Sequence, residues 1–376
     1  MASRLTFVRR VAVLAGGSLV FATCSAGTAE PSAQGFQLPP RLPASTGKTF
    51  YVAPNGSDAN PGTRTRPWRT VQRAANALRP GQRALVRAGT YRENVEIDRS
   101  GTAARPITIG AYPGERPVIE SAEYPLEIDG AYFRIRGFVL QGAKGLSSTN
   151  VYFESNAHHI ELLRNEIRFS QDQGVFSEEE THDLFVLGNR IHDNGLDHQP
   201  GQHQSHGLYL QGRNHLVANN AIYDHPFGFG IQVYDQNEGS IIVNNTVVKS
   251  GHSGIVVGGS GGVSDITIRN NILAFNSSFG VQMDSTCPTG EVAVDTNVIY
   301  GNPSGRVEPG CDTVIVEENI AKSPRFVALP SRRLWLRRTS PARDRARPDF
   351  APRTDITGRR RPSGRGYEIG AYELVR

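Results

Sequence analysis

Residues 245–257 read NTVVKSGHSGIVV, and residues 271–283 read NILAFNSSFGVQM. Set one above the other, they share two words. The first is Asn, any residue, then an apolar β-former. The second is Gly, apolar, any, apolar. The Asn word recurs as Asn165-Glu166-Ile167, Asn189-Arg190-Ile191, Asn220-Ala221-Ile222, Asn245-Thr246-Val247, Asn271-Ile272-Leu273 and Asn297-Val298-Ile299, in steps of 24, 31, 25, 26 and 26 residues. The Gly word recurs as Gly207-Leu208-Tyr209-Leu210, Gly230-Ile231-Gln232-Val233, Gly254-Ile255-Val256-Val257 and Gly280-Val281-Gln282-Met283. Each period thus holds at least two short strands alternating with period two, with no helical periodicity between them. A repeat of that length built from strands and turns implies a solenoid of β-coils.

Stacked coils pair in parallel about 4.8 Å apart, so equivalent residues lie over one another. The asparagines are expected to form ladders through their side-chain amides. Ile231, Val233, Ile255, Val257, Val281 and Met283 should face inward. Tyr209, Gln211, Gln232, Tyr234, Gln282 and Asp284 should face outward.

The chain has 376 residues, forty of them glycine, which suits an all-β protein rich in turns. Arg4, Arg9 and Arg10 precede an apolar run from Val11 to Ala22, too short to span a bilayer. Residues 1–29 read as a secretory signal peptide and 30–47 as a linker, so the protein is expected to be secreted, extracellular or periplasmic. Phe21-Ala22-Thr23-Cys24 loosely matches a lipoprotein box, with Cys24 the residue that would carry the lipid. No membrane span is expected in the mature chain. The net charge of +5 hides an asymmetry: segment 1–29 carries +3, segment 332–365 +9 and segment 366–376 −1, which leaves −6 for residues 30–331. An acidic body makes a nucleic-acid groove on it unlikely as a function. The Arg-rich tail has three readings: it lies against the acidic body, it contacts a polyanion, or it reflects base composition alone. Cys287 and Cys311 are 24 residues apart, about one period. Stacked positions are close enough for a disulfide, and two free buried thiols are the alternative.

Residues 48–337 are assigned to the coil with its N-terminal cap, and residues 338–376 to an Arg-rich wrap with a final strand. A helix is expected from Pro67 to Leu78, with Val71, Ala74, Ala75 and Leu78 on one face. Three words in this opening segment, YVAPNGSDANPGT, RPWRTVQRAANAL and PGQRALVRAGTYREN, carry a resemblance. They resemble the start of secreted right-handed parallel β-helix proteins of the pectate-lyase-like superfamily, including the calcium-dependent lyases of polysaccharide lyase family nine. At the other end, Ser340-Pro341-Ala342, Asp355, Gly358, Arg361-Pro362 and Ile369-Gly370-Ala371-Tyr372-Glu373 resemble that superfamily's C-terminal cap. The resemblance implies an all-β, right-handed parallel β-helix with an N-terminal helical cap and a C-terminal cap. The segments IHDNGLD and GHSGIVVGGSGGVSDITIRNNILAFN also resemble mannuronan C5-epimerases.

All ten histidines fall between His158 and His252, and the one long step inserts residues 194–206 in the same region. Four residues after successive repeat asparagines come Asp193, Asp224 and Lys249, with Asn194, His225 and Ser250 one residue on. The expected reading is a patch of carboxylates, histidines, a lysine and two aromatic rings on one face. The implied activity is β-elimination on an acidic, uronic-acid polysaccharide. That reaction needs the substrate carboxylate neutralised and the C5 proton removed by a base. The candidate catalytic residues are Lys249, His206 and His225. The candidate substrate contacts are Tyr209, Arg213, Gln232 and Tyr234. Asp193, Asp224 and Asp235 are the candidate ligands of Ca²⁺. A transition metal held by His198, His203 and His206 is a further reading, and His158, His159, His182 and His215 read as turn or surface residues. Lys249 matches the lyases' catalytic lysine by position and chemistry only, so a C5-epimerase or a non-catalytic glycan-binding β-helix stands as the alternative. Hydrolysis is disfavoured, because Ser205-His206-Gly207 occurs without a neighbouring pair of aspartates. The chain is expected to be monomeric.

Overall fold

The structure, a computed structural model, describes residues 40–142, 149–197 and 204–374. The expected signal peptide, most of the expected linker, Cys24, His198 and His203 lie outside the described residues. Among the described residues no helix is long and apolar enough to cross a membrane.

Three parallel sheets run the length of the coil. One turn passes through His182–Leu187 in the first sheet, Arg190–His192 in the second and Leu208–Leu210 in the third, then returns to the first at Leu216–Ala218. Each period therefore holds three strands. The Asn word opens the second-sheet strand and the Gly word the third-sheet strand. The strand missed from sequence precedes the Asn, as in Ile241–Val243 and Ile266–Arg269. Only two residues separate it from the next strand, the first of them in the left-handed region and the second the repeat Asn, so the break between the two strands is short.

The inward residues Ile231, Val233, Ile255, Val257, Val281 and Met283 are all buried in one continuous core. The asparagines stand inside the corner between the first and second sheets. Asn165, Asn189, Asn220, Asn245, Asn271, Asn297 and Asn319 each donate to the next Oδ1 along, at 3.0–3.2 Å, up to Asn319. Their second amide hydrogens go to main-chain carbonyls such as Leu162 O and Val217 O, both at 2.8 Å. A buried amide left unpaired would cost about 1–3 kcal/mol; here the stacking satisfies donor and acceptor on every rung. The corner between the second and third sheets also turns through the left-handed region, with φ near +53° to +64° at Phe169, Asp193, Asp224, Lys249 and Phe275. These residues thus form a column, as the register predicts. The glycines that open the third-sheet strands answer a different need. A Cβ on Gly207 would stand 2.5 Å from Gly230 O and 2.7 Å from His225 Nε2.

The N-terminal helix spans Val71–Ala77, inside the expected segment. Thr70 is extended and caps it, accepting from Arg73 N at 3.0 Å. Pro67-Trp68 stays outside the helix because Trp68 N donates to Tyr51 O at 2.9 Å, pairing with the first strand. Val71, Ala74, Ala75 and Leu78 are buried against the end of the core.

The C-terminal segment differs from the expected boundary and form. The last first-sheet strand is Val314–Glu317, and the wrap begins before residue 338 with the antiparallel pair Phe326–Ala328 and Arg333–Leu336. Residues 369–373 form no strand. They are irregular, and Ile369, Ala371, Tyr372 and Leu374 bury themselves on Ala221, Tyr223, Val248, Ile272 and Ala274 of the second sheet's outer face. Arg361 pins them there. Fully buried, it pairs with Glu373 at 2.8 Å and donates to Asn219 Oδ1 and Gly370 O. Other tail arginines meet body acids, as in Arg347–Glu318 at 2.9 Å. Cys287 and Cys311 are disulfide-bonded across neighbouring turns, with Cα atoms 5.5 Å apart.

Candidate active site

The outer face of the third sheet carries a groove of about 850 Å³. Its floor follows from register: Tyr152, Phe176, Tyr209, Gln232, Val256 and Gln282 occupy one outward column on successive turns. The rings form a staircase, with centroids 5.1–5.8 Å apart from Tyr124 through Tyr152, Phe176 and Tyr209 to Tyr234. Among the described residues, the ionisable lining besides these tyrosines is Asp172, His206, His252 and Asp284, with no lysine or arginine. Tyr234 is pushed up to about 12 by burial and by its hydrogen bond to Asp284. Burial, with nearby acids such as Asp235, also raises Tyr209. Both phenols therefore stay neutral and offer rings and hydroxyl donors, a surface suited to sugars.

Two histidines stand on one wall, two turns apart, with Phe229 between them. His206 is buried, and its Nδ1 accepts from Phe229 N at 3.1 Å, which places the ring proton on Nε2. His252 has the opposite tautomer. Ser253 Oγ donates to Gln282 Oε1 at 2.6 Å and accepts from Phe279 N at 3.1 Å. Its remaining lone pair faces His252 Nδ1 at 3.3 Å, so that nitrogen carries the hydrogen. Nε2 of His252 is then the basic nitrogen. A base held in one tautomer by a second group and that group by a third is the arrangement general-base chemistry requires.

The expected patch is divided between two faces. Lys249 lies in the left-handed column at the edge of the second sheet, with Nζ 3.7 Å from Asp224 Oδ1. Asp193 and Asp224 do not make a cation site with Asp235. Arg332 from the wrap donates to both, at 2.8 Å and 3.0 Å to Asp193 and 2.7 Å to Asp224. His192 Nδ1 adds a 2.7 Å contact to Asp193. Burial raises the Asp193 carboxyl, but the His192 hydrogen bond and the Arg332 charge outweigh it and hold it below the usual range. Asp235 stands at the far end of a third-sheet strand, where its Oδ1 accepts from Gly261 N at 2.8 Å. Among the described residues, no three carboxylates converge as calcium ligands would.

His225 is also displaced from the expected surface. The residue after each left-handed corner turns inward, so Asn194, His225, Ser250 and Asn276 are all buried inside the coil. Burial pushes His225 down to about 4, which keeps it neutral and structural. Arg213 is exposed at the opposite edge of the third sheet and bridges to the turns of His182 and Glu238, outside the groove lining. Of the named candidates, His206, Tyr209, Gln232 and Tyr234 share the groove. Reasoning from sequence passed over His252, Phe176 and Tyr152. Period-two alternation places both aromatics in the column of Tyr209, so that signal was available. The role of His252 depends on Gln282, one turn away.

A further cavity of about 760 Å³ lies beside the first sheet. Among the described residues its ionisable lining is Arg41, Tyr112, Glu115, Arg136, Arg164, Arg353 and Asp355, with no histidine or lysine to serve as a base.

The sequence matches the Pel9A-like right-handed β-helix region over residues 50–308. YwoF, an uncharacterized protein of Bacillus subtilis (strain 168), is 27% identical over 357 residues, covering 69% of this chain and 76% of that protein. Pectate lyase PEL9 of Emericella nidulans is 38% identical over 86 residues, 22% of this chain and 21% of that protein. The crystal structure of pectate lyase Pel9A superposes with a TM-score of 0.69 at 17% identity, over 89% of this chain and 98% of that one, a likeness of fold. The chain is thus a pectate-lyase-like parallel β-helix, and it belongs to the Pel9A-like right-handed β-helix family.

Proposed function

We propose that the third-sheet groove binds an acidic polysaccharide and cleaves it by β-elimination, with His252 as the base. The observation that supports this reading is the Gln282–Ser253–His252 chain on the wall of an aromatic groove. The rings of Tyr152, Phe176, Tyr209 and Tyr234 stack against successive sugars. His252 Nε2 takes the C5 proton of a uronate. The electron pair left on C5 becomes the C4–C5 double bond, and O4 departs with its bonding pair and picks up a proton from the imidazolium or from water. His206 stands on the same wall two turns away.

Charge on the substrate carboxylate must be offset for the C5 proton to leave. Among the described residues the groove lining holds no arginine or lysine for this, and its acids there are Asp172 and Asp284. A hard cation such as Ca²⁺ would supply that neutralisation if it arrived with the substrate, since Asp172 and Asp284 stand four turns apart and do not make one site. Lys249 has no place in this scheme, since it lies on another face and pairs with Asp224.

The test is ultraviolet absorbance of unsaturated uronate, with the chain from residue 30 onward incubated with pectate or alginate, with Ca²⁺ or with chelator. A rise that His252→Ala abolishes and Lys249→Ala preserves supports the reading. A rise that survives His252→Ala and is lost in Lys249→Ala overturns the assignment of the base. No rise on either polymer overturns lyase activity on those substrates.

A further inference from the structure

Outside the groove, a second cluster of chemistry-bearing side chains stands at the corner where the third sheet passes into the first. His158 and His182 pair directly across neighbouring strands, with rings stacked at 4.7 Å and 7°. His159 follows His158 in the left-handed conformation, φ +54°, which swings its ring back onto the same column. His158 Nδ1 and His159 Nδ1 are 2.8 Å apart. Asp183, also left-handed at φ +53°, brings its Oδ2 to 2.7 Å from His182 Nδ1 and 3.8 Å from His159 Nδ1. One ligand nitrogen from each of the three rings lies within 4.8 Å of the other two, the one such set of three His, Cys, Asp or Glu ligands among the described residues. Tyr132 packs on both His158 and His159 from the preceding turn, and on the turns after His182 the column continues through Arg213 to Glu238.

We infer that His158, His159 and His182, supported by the Asp183 carboxylate, form a site for a borderline divalent transition metal of the Zn²⁺ class. Ligand chemistry selects the metal: three imidazoles suit Zn²⁺, Cu²⁺ or Ni²⁺, whereas Ca²⁺ and Mg²⁺ require an oxygen set. The spacing suits it as well. Ligands about 2.0–2.1 Å from a tetrahedral centre stand roughly 3.4 Å from one another, and here one nitrogen of each ring lies within 4.8 Å of the others. Asp183 acts either as the carboxylate that orients a ligating imidazole or as a fourth donor; both roles strengthen binding. The three rings come from two successive turns of the coil. A bound ion therefore cross-links them, and its place at the corner separates it from the groove and its chemistry.

The experiment is calorimetric titration of the tag-free chain from residue 30 onward with ZnCl₂, with thermal unfolding followed alongside. The expected result is one equivalent bound with micromolar or tighter affinity and a midpoint that rises with Zn²⁺ concentration. Asp183→Asn should weaken binding by about 10–100-fold. His158→Asn combined with His182→Asn should abolish it while the β-sheet circular dichroism is kept; should that pair lower expression, single His182→Gln is read instead. Ca²⁺ in excess should not displace the metal. Absence of saturable binding up to about 1 mM overturns the inference. So does binding of equal affinity in the folded histidine variants, which would place the ion elsewhere.

Discussion

The outer faces of the second and third sheets are built by the same repeat, yet they have opposite fates. On the second sheet, Lys249, Asp224 and Asp193 form the charged column that the sequence makes most conspicuous. There Arg332 bridges the two aspartates, His192 stacks on Tyr223 at 4.8 Å, and Ile369, Ala371 and Tyr372 cover the apolar strip. On the third sheet no segment of the described chain lies across the aromatic staircase, and a groove remains. The contrast shows that a column of reactive residue types becomes a site only where the rest of the chain leaves it open. Charges with protein partners already in place contribute to docking the wrap instead.

Four measurements sharpen or break this contrast. The largest effect is expected at His252. Its replacement by Ala should lower turnover by about 10²–10⁴, the usual contribution of a general base, while Lys249→Ala stays near wild type in rates of unsaturated-uronate formation. Equal losses in both variants would erase the distinction between the faces.

Next in size is the anchor of the wrap. Arg361→Ala leaves Glu373 buried without its partner and should destabilise the fold by about 3–5 kcal/mol, read as a drop in the denaturation midpoint. A neutral result would mean that the wrap is held by its apolar residues alone.

A pH series tests the charged network under the wrap. The hydrogen bond from His192 holds the Glu166 carboxyl at about 2, well below its ordinary 4.5. A lowered carboxyl contributes stability above its unfolded value, and that contribution is lost as pH falls through the folded one. His192 is pulled the other way. Burial opposes its charge, but hydrogen bonds to Asp193 and Glu166 overcome this and raise it above 6.5, so its contribution fades as pH rises. The difference in melting temperature between wild type and Glu166→Gln should therefore be largest between about pH 4.5 and 6.5 and shrink on both sides. A difference independent of pH would show the pair to be energetically silent.

The smallest effect concerns the staircase. Tyr209→Ala removes one stacking ring worth about 0.5–1.5 kcal/mol and should raise KM by about 3–10-fold with kcat little changed. A matching fall in kcat would instead place Tyr209 at the reacting sugar.

Much of this was legible in the chain, for particular reasons. The Asn and Gly words disclosed the period, and alternation along Gly230-Ile231-Gln232-Val233 separated inward from outward residues. Both follow from local geometry: a strand has period two, and each left-handed corner is one residue long. The same reasoning put Asp193, Asp224 and Lys249 in one column, where the structure has them. Their chemistry was not legible, because Arg332 lies more than a hundred residues further along. His225 was misplaced by a single step, since the residue after the corner turns inward and no residue type announces that.

The sequence by itself determined the repeat, the core and the asparagine ladder, because stacking converts a fixed period directly into position; it did not settle every outward side chain, since Gln211 and His225 are buried. Tertiary structure alone decided which outward face is covered, which tautomer His252 adopts beside Ser253 and Gln282, and that His158, His159 and His182 meet at one corner. Each of these depends on groups brought together from different turns or from the distant wrap. Partners of that kind are set by the folded geometry, and the local pattern of residues carries no record of them.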